Sequence, residues 1–304
     1  MKLRRLLRQI INTIRAEQKR AIWETASRNG DFLEVSTAQG KFRITAADGV
    51  ISQSLYFAGN FELEFMQNAV ALLREMGKCP EKGTGTILDI GGNIGVTSIG
   101  MLHTGEFARA VVVEPEPQNF ALLQYNLALN GLVDKAICFP VAAADRNTEL
   151  LFELSANNFG DHRIKSTAVS PEQLGLPDLY QESQRQITQV PARKLDDLLE
   201  DLPPDWCQDL SLLWMDIQGY EGYALKGATH LLSRGLPAVM EVWPYGLLRA
   251  GMNLEEFCSI VAQHWSSFWV WRRSRFVEYS MQKFPELLAE IGCGVDYENV
   301  VFSP

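Results

Sequence analysis

No stretch of about 18 apolar residues occurs in the 304-residue chain, so the sequence predicts no membrane-spanning helix. Cysteine is scarce and scattered. Cys79, Cys138, Cys207, Cys258 and Cys293 make an odd number with no C-x-x-C pair, which excludes a disulfide framework or a zinc site and suits a reducing, cytoplasmic setting. Histidine is rarer still, at four. Positive charge is in deficit: 28 Lys and Arg against 37 Asp and Glu leave a formal net charge of −9, and no basic patch in the body of the chain has the density that a nucleic-acid partner requires. The G-x-G-x-x-G turn of dinucleotide-binding proteins is missing, as are internal repeats and long low-complexity tracts.

What is present is 46% hydrophobic and 10% aromatic, enough to build one large α/β domain with additions. Residues 1–28 depart from the acidic average, with Lys2, Arg4, Arg5, Arg8, Arg15, Lys19, Arg20 and Arg28 against Glu17 and Glu24. Leu3, Leu6, Leu7, Ile10, Ile11 and Ile14 recur at helical spacing, which predicts a helix with an apolar stripe and a basic face. Such a helix fits peripheral contact with a membrane surface or a homo-oligomer contact, and fits equally well packing on its own domain. Residues 29–80 are predicted to hold a hairpin, Phe32-Leu-Glu-Val-Ser-Thr and Lys41-Phe-Arg-Ile-Thr around Ala38-Gln39-Gly40, and then a helix over Phe61–Met76. From 81 to 304 short β-branched runs alternate with helical patterns, which predicts a doubly wound parallel sheet with an insert over 146–193 after the third core strand, Ala136–Ala142.

The most informative segment is Thr86-Ile-Leu-Asp-Ile-Gly-Gly-Asn-Ile-Gly95, followed by Val111-Val-Val-Glu-Pro-Glu-Pro117. A strand, a glycine turn, a helix and then a strand-end acid form a nucleoside-binding βαβ unit. Gly91, Gly92 and Gly95 let the backbone approach a ligand, and Glu114 is placed to hold ribose hydroxyls. Asp89, just before the turn, repels a pyrophosphate and attracts a sulfonium, so the expected cofactor is S-adenosylmethionine, with S-adenosylhomocysteine as product. Two further acids end strands, Asp216 after the fourth and Glu241 after the fifth, where ligands of open α/β sheets bind. Together they have too few ligands for a metal, and none is predicted. Of the four histidines only His162 lies outside a predicted helix, in the polar run Asn157-Asn-Phe-Gly-Asp-His-Arg163. It is a candidate general base beside Asp216, with Asn158, Asp161, Arg163 and Glu241 as candidate acceptor contacts.

This ordered series resembles the FkbM family of S-adenosylmethionine-dependent methyltransferases from about Gly59 to Trp243. The residues that carry the resemblance are Asp89-Ile-Gly-Gly-Asn-Ile-Gly95, Glu114-Pro-Glu-Pro, Val141-Ala142-Ala143, Leu195-Asp196-Asp197-Leu198 and Asp216-Ile-Gln-Gly-Tyr-Glu221. It implies a class I methyltransferase fold, Rossmann-like, with seven strands and the last antiparallel. It also implies O-methylation of a hydroxyl on a sugar, glycan or secondary metabolite. Asn93, Pro115, Ala142, Ala143 and Glu62 join the cofactor-binding set on the same ground. The family has Lys and Glu where this chain has Trp214 and Gln218, so a protein that binds the cofactor without catalysing stays open as a second class of function.

Overall fold

The computed structural model describes residues 2–166, 180 and 182–304. In chain order the strands are β1 Phe32–Thr37, β2 Gly40–Thr45, β3 Thr86–Ile90, β4 Arg109–Val113, β5 Ala136–Phe139, β6 Ala142–Ala143 and β7 Thr148–Leu154. They continue with β8 Arg163–Ile164, β9 Gln186–Arg193, β10 Leu210–Met215, β11 Ala238–Val242, β12 Ser267–Arg272, β13 Arg275–Ser280 and β14 Glu298–Ser303. Eight of them make the main sheet, in the order β13-β12-β14-β11-β10-β3-β4-β5. β5, β4, β3, β10 and β11 run parallel, and β14 lies antiparallel between β11 and β12.

β3 and β11 are buried along their whole length, as mainly apolar strands are when helices cover both faces of a parallel sheet, with Asp89 and Glu241 as the buried acids within them. One face packs through Leu88, Ile90, Val111, Met215 and Met240. The other packs through Ile87, Val112, Leu212, Trp214 and Val239 against residues from the N-terminal elements, among them Phe42, Ile44, Leu55 and Leu73. The sheet has one strand more than the expected seven. β13 forms a hairpin with β12 around Arg273 and Ser274, which both adopt positive φ (51° and 60°) as a two-residue turn of matching twist demands. Arg-Ser does not advertise such a turn as Asn-Gly would, so the strand was not visible in the sequence.

The expected hairpin is present as β1 and β2, and side-chain amides dock it on the helix Pro117–Leu129 and its cap. Asn126 Oδ1 accepts the Arg43 N–H at 2.7 Å and Asn130 Oδ1 accepts the Lys41 N–H at 2.8 Å. The basic N-terminal segment is one helix, Lys2–Asn29. The side chains expected to form its apolar stripe at Leu3, Leu6, Leu7, Ile10 and Ile11 lie outside the described residues. Its last turns pack on the domain: Trp23 and Ala26 are buried, Trp23 sits 5.2 Å from the Tyr56 ring, and the Tyr56 hydroxyl donates to the Lys19 carbonyl at 3.0 Å. Among the described residues no helix is long and apolar enough to cross a membrane.

The third core strand is shorter than expected. β5 ends at Phe139, and Ala142–Ala143 pairs with β9 in a second sheet of order β6-β9-β7-β8 built by the insert. Residues 167–179 and 181 of the insert lie outside the described residues. Arg163, expected to contact an acceptor, has no exposed surface. Its guanidinium lies against the rings of both Tyr180 and Trp243, 5.0 and 5.3 Å from their centroids, and ion-pairs with Glu182 at 2.7 Å and Asp161 at 3.1 Å. Arg249 joins the cluster from the helix Pro244–Arg249, facing Glu153 at 3.3 Å and donating to the Ile164 carbonyl at 3.1 Å. Arg163 therefore holds the insert to the main sheet. Removing one member of a buried ion cluster strands its partners, so Arg163→Met is expected to cost about 3–5 kcal/mol in urea unfolding. A loss below about 1 kcal/mol, the range of an exposed pair, would refute the structural role.

Candidate functional site

The strand order reverses between β3 and β10, and the loops that leave these two strands meet there. Gly91 has φ 92°, and a Cβ on it would fall 1.9 Å from the Asp216 carbonyl oxygen. Only glycine fits, and its bare backbone lines a cleft whose other wall is Glu114 and Pro115. Gly92 and Gly95, expected to contact a ligand, instead serve packing. A Cβ on Gly92 would meet Val112 Cγ1 at 2.1 Å, and one on Gly95 would meet Ile99 and Leu123 at 2.8 Å. Asp89 is a second correction. It is 1% exposed, faces the helix Val96–His103 and accepts a short hydrogen bond from the Ser98 hydroxyl, so it anchors that helix and does not line the cleft.

Glu114 lies where the sequence puts it, at the end of β4 and on the cleft wall. Its Oε2 accepts the Asn93 N–H and its Oε1 the Glu116 N–H, each at 2.8 Å. Asn93 reaches that position with φ 48°. Each carboxylate oxygen has a further lone pair for a ligand hydroxyl. Burial pushes the Glu114 carboxyl up to about 8, against the lowering effect of the two N–H groups. Ala142 and Ala143 line the cleft, and Phe152, Ile164 and Tyr220 supply an apolar flank that the sequence did not reveal. Asn119 was also missed. It is 1% exposed and lines the cleft, its Nδ2 donates to the Phe159 carbonyl at 3.3 Å, and its Oδ1 has no hydrogen-bond partner. Asn93 Nδ2 donates to the same carbonyl at 3.0 Å, so the insert is tied across the mouth of the cleft.

His162 borders the cleft, but in the wrong state for a base. Its Nδ1 accepts the Ser155 N–H at 2.9 Å, which leaves the proton of the neutral ring on Nε2. Burial, aided by the charge of Arg185, lowers its pKa to about 4, and the ring stacks on Phe159 at 5.2 Å. It presents a donor, not a lone pair.

Asp216 belongs to two cavities. It closes one end of the glycine-loop cleft and also lines a neighbouring chamber with Glu62, Asp161, Glu241, Tyr180 and Tyr297. Glu62 therefore sits in the chamber and not on the cleft assigned to it from sequence. Asn158 reaches the chamber while its Oδ1 caps the Gly160 N–H at 3.1 Å, and Asp161 is held by Arg163 and Arg185. Gln218, with φ 56°, donates through Nε2 to both Asp216 Oδ1 at 2.7 Å and Glu241 Oε1 at 3.0 Å. Asp216 presents much of its surface to the openings, yet desolvation by the surrounding walls raises it to about 6, with the Gln218 hydrogen bond pulling the other way. Burial and then Asp216 raise Glu62 to about 7, and burial followed by Asp216 holds Glu241 well above the usual carboxylate range. Trp214 is buried against Phe65 and is part of the core.

Five parallel strands, an antiparallel β14 and β12 beyond it, with a strand-end acid beside a glycine loop, define a class I methyltransferase fold. The family model for the FkbM methyltransferase domain matches residues 89–286. The chain belongs to the FkbM methyltransferase family. It is 29% identical over 164 residues to the 2-O-methyltransferase NoeI of Sinorhizobium fredii, a match covering 51% of this chain and 61% of that protein. Among solved structures it is similar to the methyltransferase FkbM of Methylobacillus flagellatus, at 17% identity and a TM-score of 0.43, over 84% of this chain and 55% of the other. It is also similar to Pyrococcus horikoshii TYW2 in complex with MeSAdo, at 12% identity and a TM-score of 0.39, over 86% and 66% of the two chains.

Asp89, Glu114 and Glu221 are each less than 5% exposed, and burial raises them to about 7, 8 and 7. A carboxyl raised in the folded state takes up a proton on folding. Its contribution to stability is therefore full at low pH and is lost as pH rises through the folded value. The ligand-free protein is expected to lose thermal stability as pH rises from about 5 to about 8, and Glu114→Gln to flatten that slope. A melting temperature that climbs across this interval would contradict the buried carboxyls.

Proposed function

We propose that the chain transfers the methyl group of S-adenosylmethionine to a hydroxyl on a sugar or related polyol. The observation that carries this reading is Asp216, which lines the glycine-loop cleft and the acidic chamber together. The cleft suits a nucleoside. Glu114 keeps lone pairs for ribose hydroxyls, Asn119 has an oxygen without a partner, and Gly91 offers unobstructed backbone. Pro115, Ala142 and Ala143 give it apolar surface.

Bound S-adenosylmethionine supplies a methyl already activated on a sulfonium. The chain's task is to hold a hydroxyl in line, exclude water and take up its proton. Asp216 is the base in this reading, since a carboxyl near 6 is largely ionised at neutral pH and still basic. Gln218 fixes its direction by donating to one oxygen. Glu62 and Glu241 bind other hydroxyls of the acceptor, and His162 donates its Nε2 proton to the ligand or to water. The NoeI name, a 2-O-methyltransferase, supports an oxygen acceptor.

Calorimetric titration with S-adenosylhomocysteine should show binding that Glu114→Ala weakens by about 10–100-fold, the range of a lost charge-assisted hydrogen bond. Preference for a nicotinamide dinucleotide would sink the cofactor assignment. With a hydroxyl panel as acceptor, Asp216→Asn should lower turnover by about 10²–10⁴-fold while cofactor affinity stays within a few-fold. In the wild type kcat/KM should rise with pH through about 6 as Asp216 ionises. His162→Gln falling as far as Asp216→Asn would return the base role to the histidine. Cofactor binding with no turnover on any acceptor would leave a binding protein.

A further inference from the structure

We infer that the acidic chamber takes an acceptor sugar bearing an amino group and rejects sugars that carry a carboxylate, phosphate or sulfate. This rests on the methyl-transfer reading for the chamber's use, and it adds a charge requirement that the reading does not contain.

The carrying observation is Glu241, a chamber-lining carboxylate that is only 6% exposed. Its hydrogen-bond partner is a neutral amide, the Gln218 Nε2–H at 3.0 Å, and the neighbouring charges that raise it further are those of Asp216, Glu221, Glu62 and Asp161, all acids. Some buried acids have cations: Glu106 has Arg74 and Lys82, Glu153 has Arg163 and Arg249, and Asp161 has Arg163 and Arg185. Others, Asp48, Glu114, Glu116 and Glu221, accept from backbone N–H groups, and Asp89 from a hydroxyl. Of the buried acids without a cation among the described residues, Glu241 is the one that lines the chamber beside Asp216 and Glu62. Among the described residues no Lys, Arg or His lines the chamber. The insert segment 167–179 with Gln181 contains none of these residues to bring one. A carboxylate withdrawn from water without a counter-charge is unfavourable, so Glu241 holds a proton while the chamber is empty, and a cationic ligand is what lets it ionise.

A sulfonium bound in the cleft would supply one positive charge, and Asp216 is the acid of the chamber that also lines the cleft. Glu241 lies across the Gln218 amide from Asp216, and Glu62 stands on the same chamber wall. One cation does not balance three carboxylates. An ammonium on the sugar donates to Glu241 as a charge-assisted hydrogen bond, while an anionic substituent faces Asp216 and Glu241, neither of which has an ion-pair partner among the described residues. The rings of Trp243, Tyr180 and Tyr297 give the chamber flat apolar surface for the sugar's C–H face, and Asn299 and Asn158 give it neutral hydrogen-bonding groups.

Methyl glucosaminide, methyl glucoside and methyl glucuronide titrated into the full chain loaded with S-adenosylhomocysteine, slightly below neutral pH and at low salt, test the inference. The amine should bind about tenfold tighter than the neutral sugar, and the glucuronide at least about tenfold weaker than it. Glu241→Gln should weaken the amine about tenfold more than it weakens the neutral glucoside, whose hydroxyl contact to this residue is also altered. A glucuronide that binds as well as the amine overturns the proposal, as does an unchanged ranking in Glu241→Gln or no binding of any of the three. Failure of S-adenosylhomocysteine to bind strikes the cofactor reading instead, and the same titrations into the unloaded protein still read the charge preference.

Discussion

The carbonyl oxygen of Asp216 occupies space that exists only because residue 91 has no side chain. Everything in the site follows from this contact between two strand-end loops. It is reinforced one strand further along, where a Cβ on Gly219 would lie 2.2 Å from the Gly246 backbone. Backbone held against backbone cannot relax by a rotamer change, so the ends of β3, β10 and β11 are fixed relative to one another more firmly than side-chain packing alone would allow. Asp216, Gln218 and Glu241 project from that fixed floor. Glu114 stands on the far side of the cleft, pinned by two N–H groups. The cleft and the chamber are thus two halves of one rigid corner, with Asp216 at the join.

Electrostatics divides along the same line. Where the insert meets the main sheet, Arg163 and Arg185 from the insert and Arg249 from the sheet side neutralise Glu153, Asp161 and Glu182. In the corner itself the acids have backbone N–H groups, a serine hydroxyl or an amide as partners. Burial raises these carboxyls, and hydrogen bonds without a counter-charge bring them only part of the way back.

The parts of the fold written in local chemistry could be read from the chain. β3, the glycine turn, β4 and Glu114 follow from apolar runs and spacing, and the β1–β2 hairpin from alternation around Gly40. Asp89 misled because its position along the strand was right while its direction was not: alternation turns it to Ser98 and away from the cleft. Gly92 and Gly95 likewise sit in the motif for reasons of helix–strand packing. His162 and Arg163 lie side by side in a polar run, and composition alone cannot say that one ring is pinned through Nδ1 and the other side chain is swallowed by acids. Those facts depend on the Ser155 N–H for the ring and on Glu153, Tyr180 and Glu182 for the guanidinium, none of them within the run itself. Asn119 left no signal beyond its place in a helix start, because an orphaned oxygen is a property of the packed state.

The arginine cluster has a consequence for how the family can diversify. Arg249 belongs to the sheet side of the molecule, yet its partners Glu153, Glu182 and the Ile164 carbonyl all come from the insert. The insert is therefore not an interchangeable cassette. Transplanting residues 146–193 from a relative with a different acid pattern would leave Arg249 sealed in the interior with nothing to neutralise it. A graft succeeds only when acceptor and donor share the cluster or when position 249 travels with the insert, so diversification of this loop has to proceed in steps that keep charge conserved across a boundary the chain crosses twice.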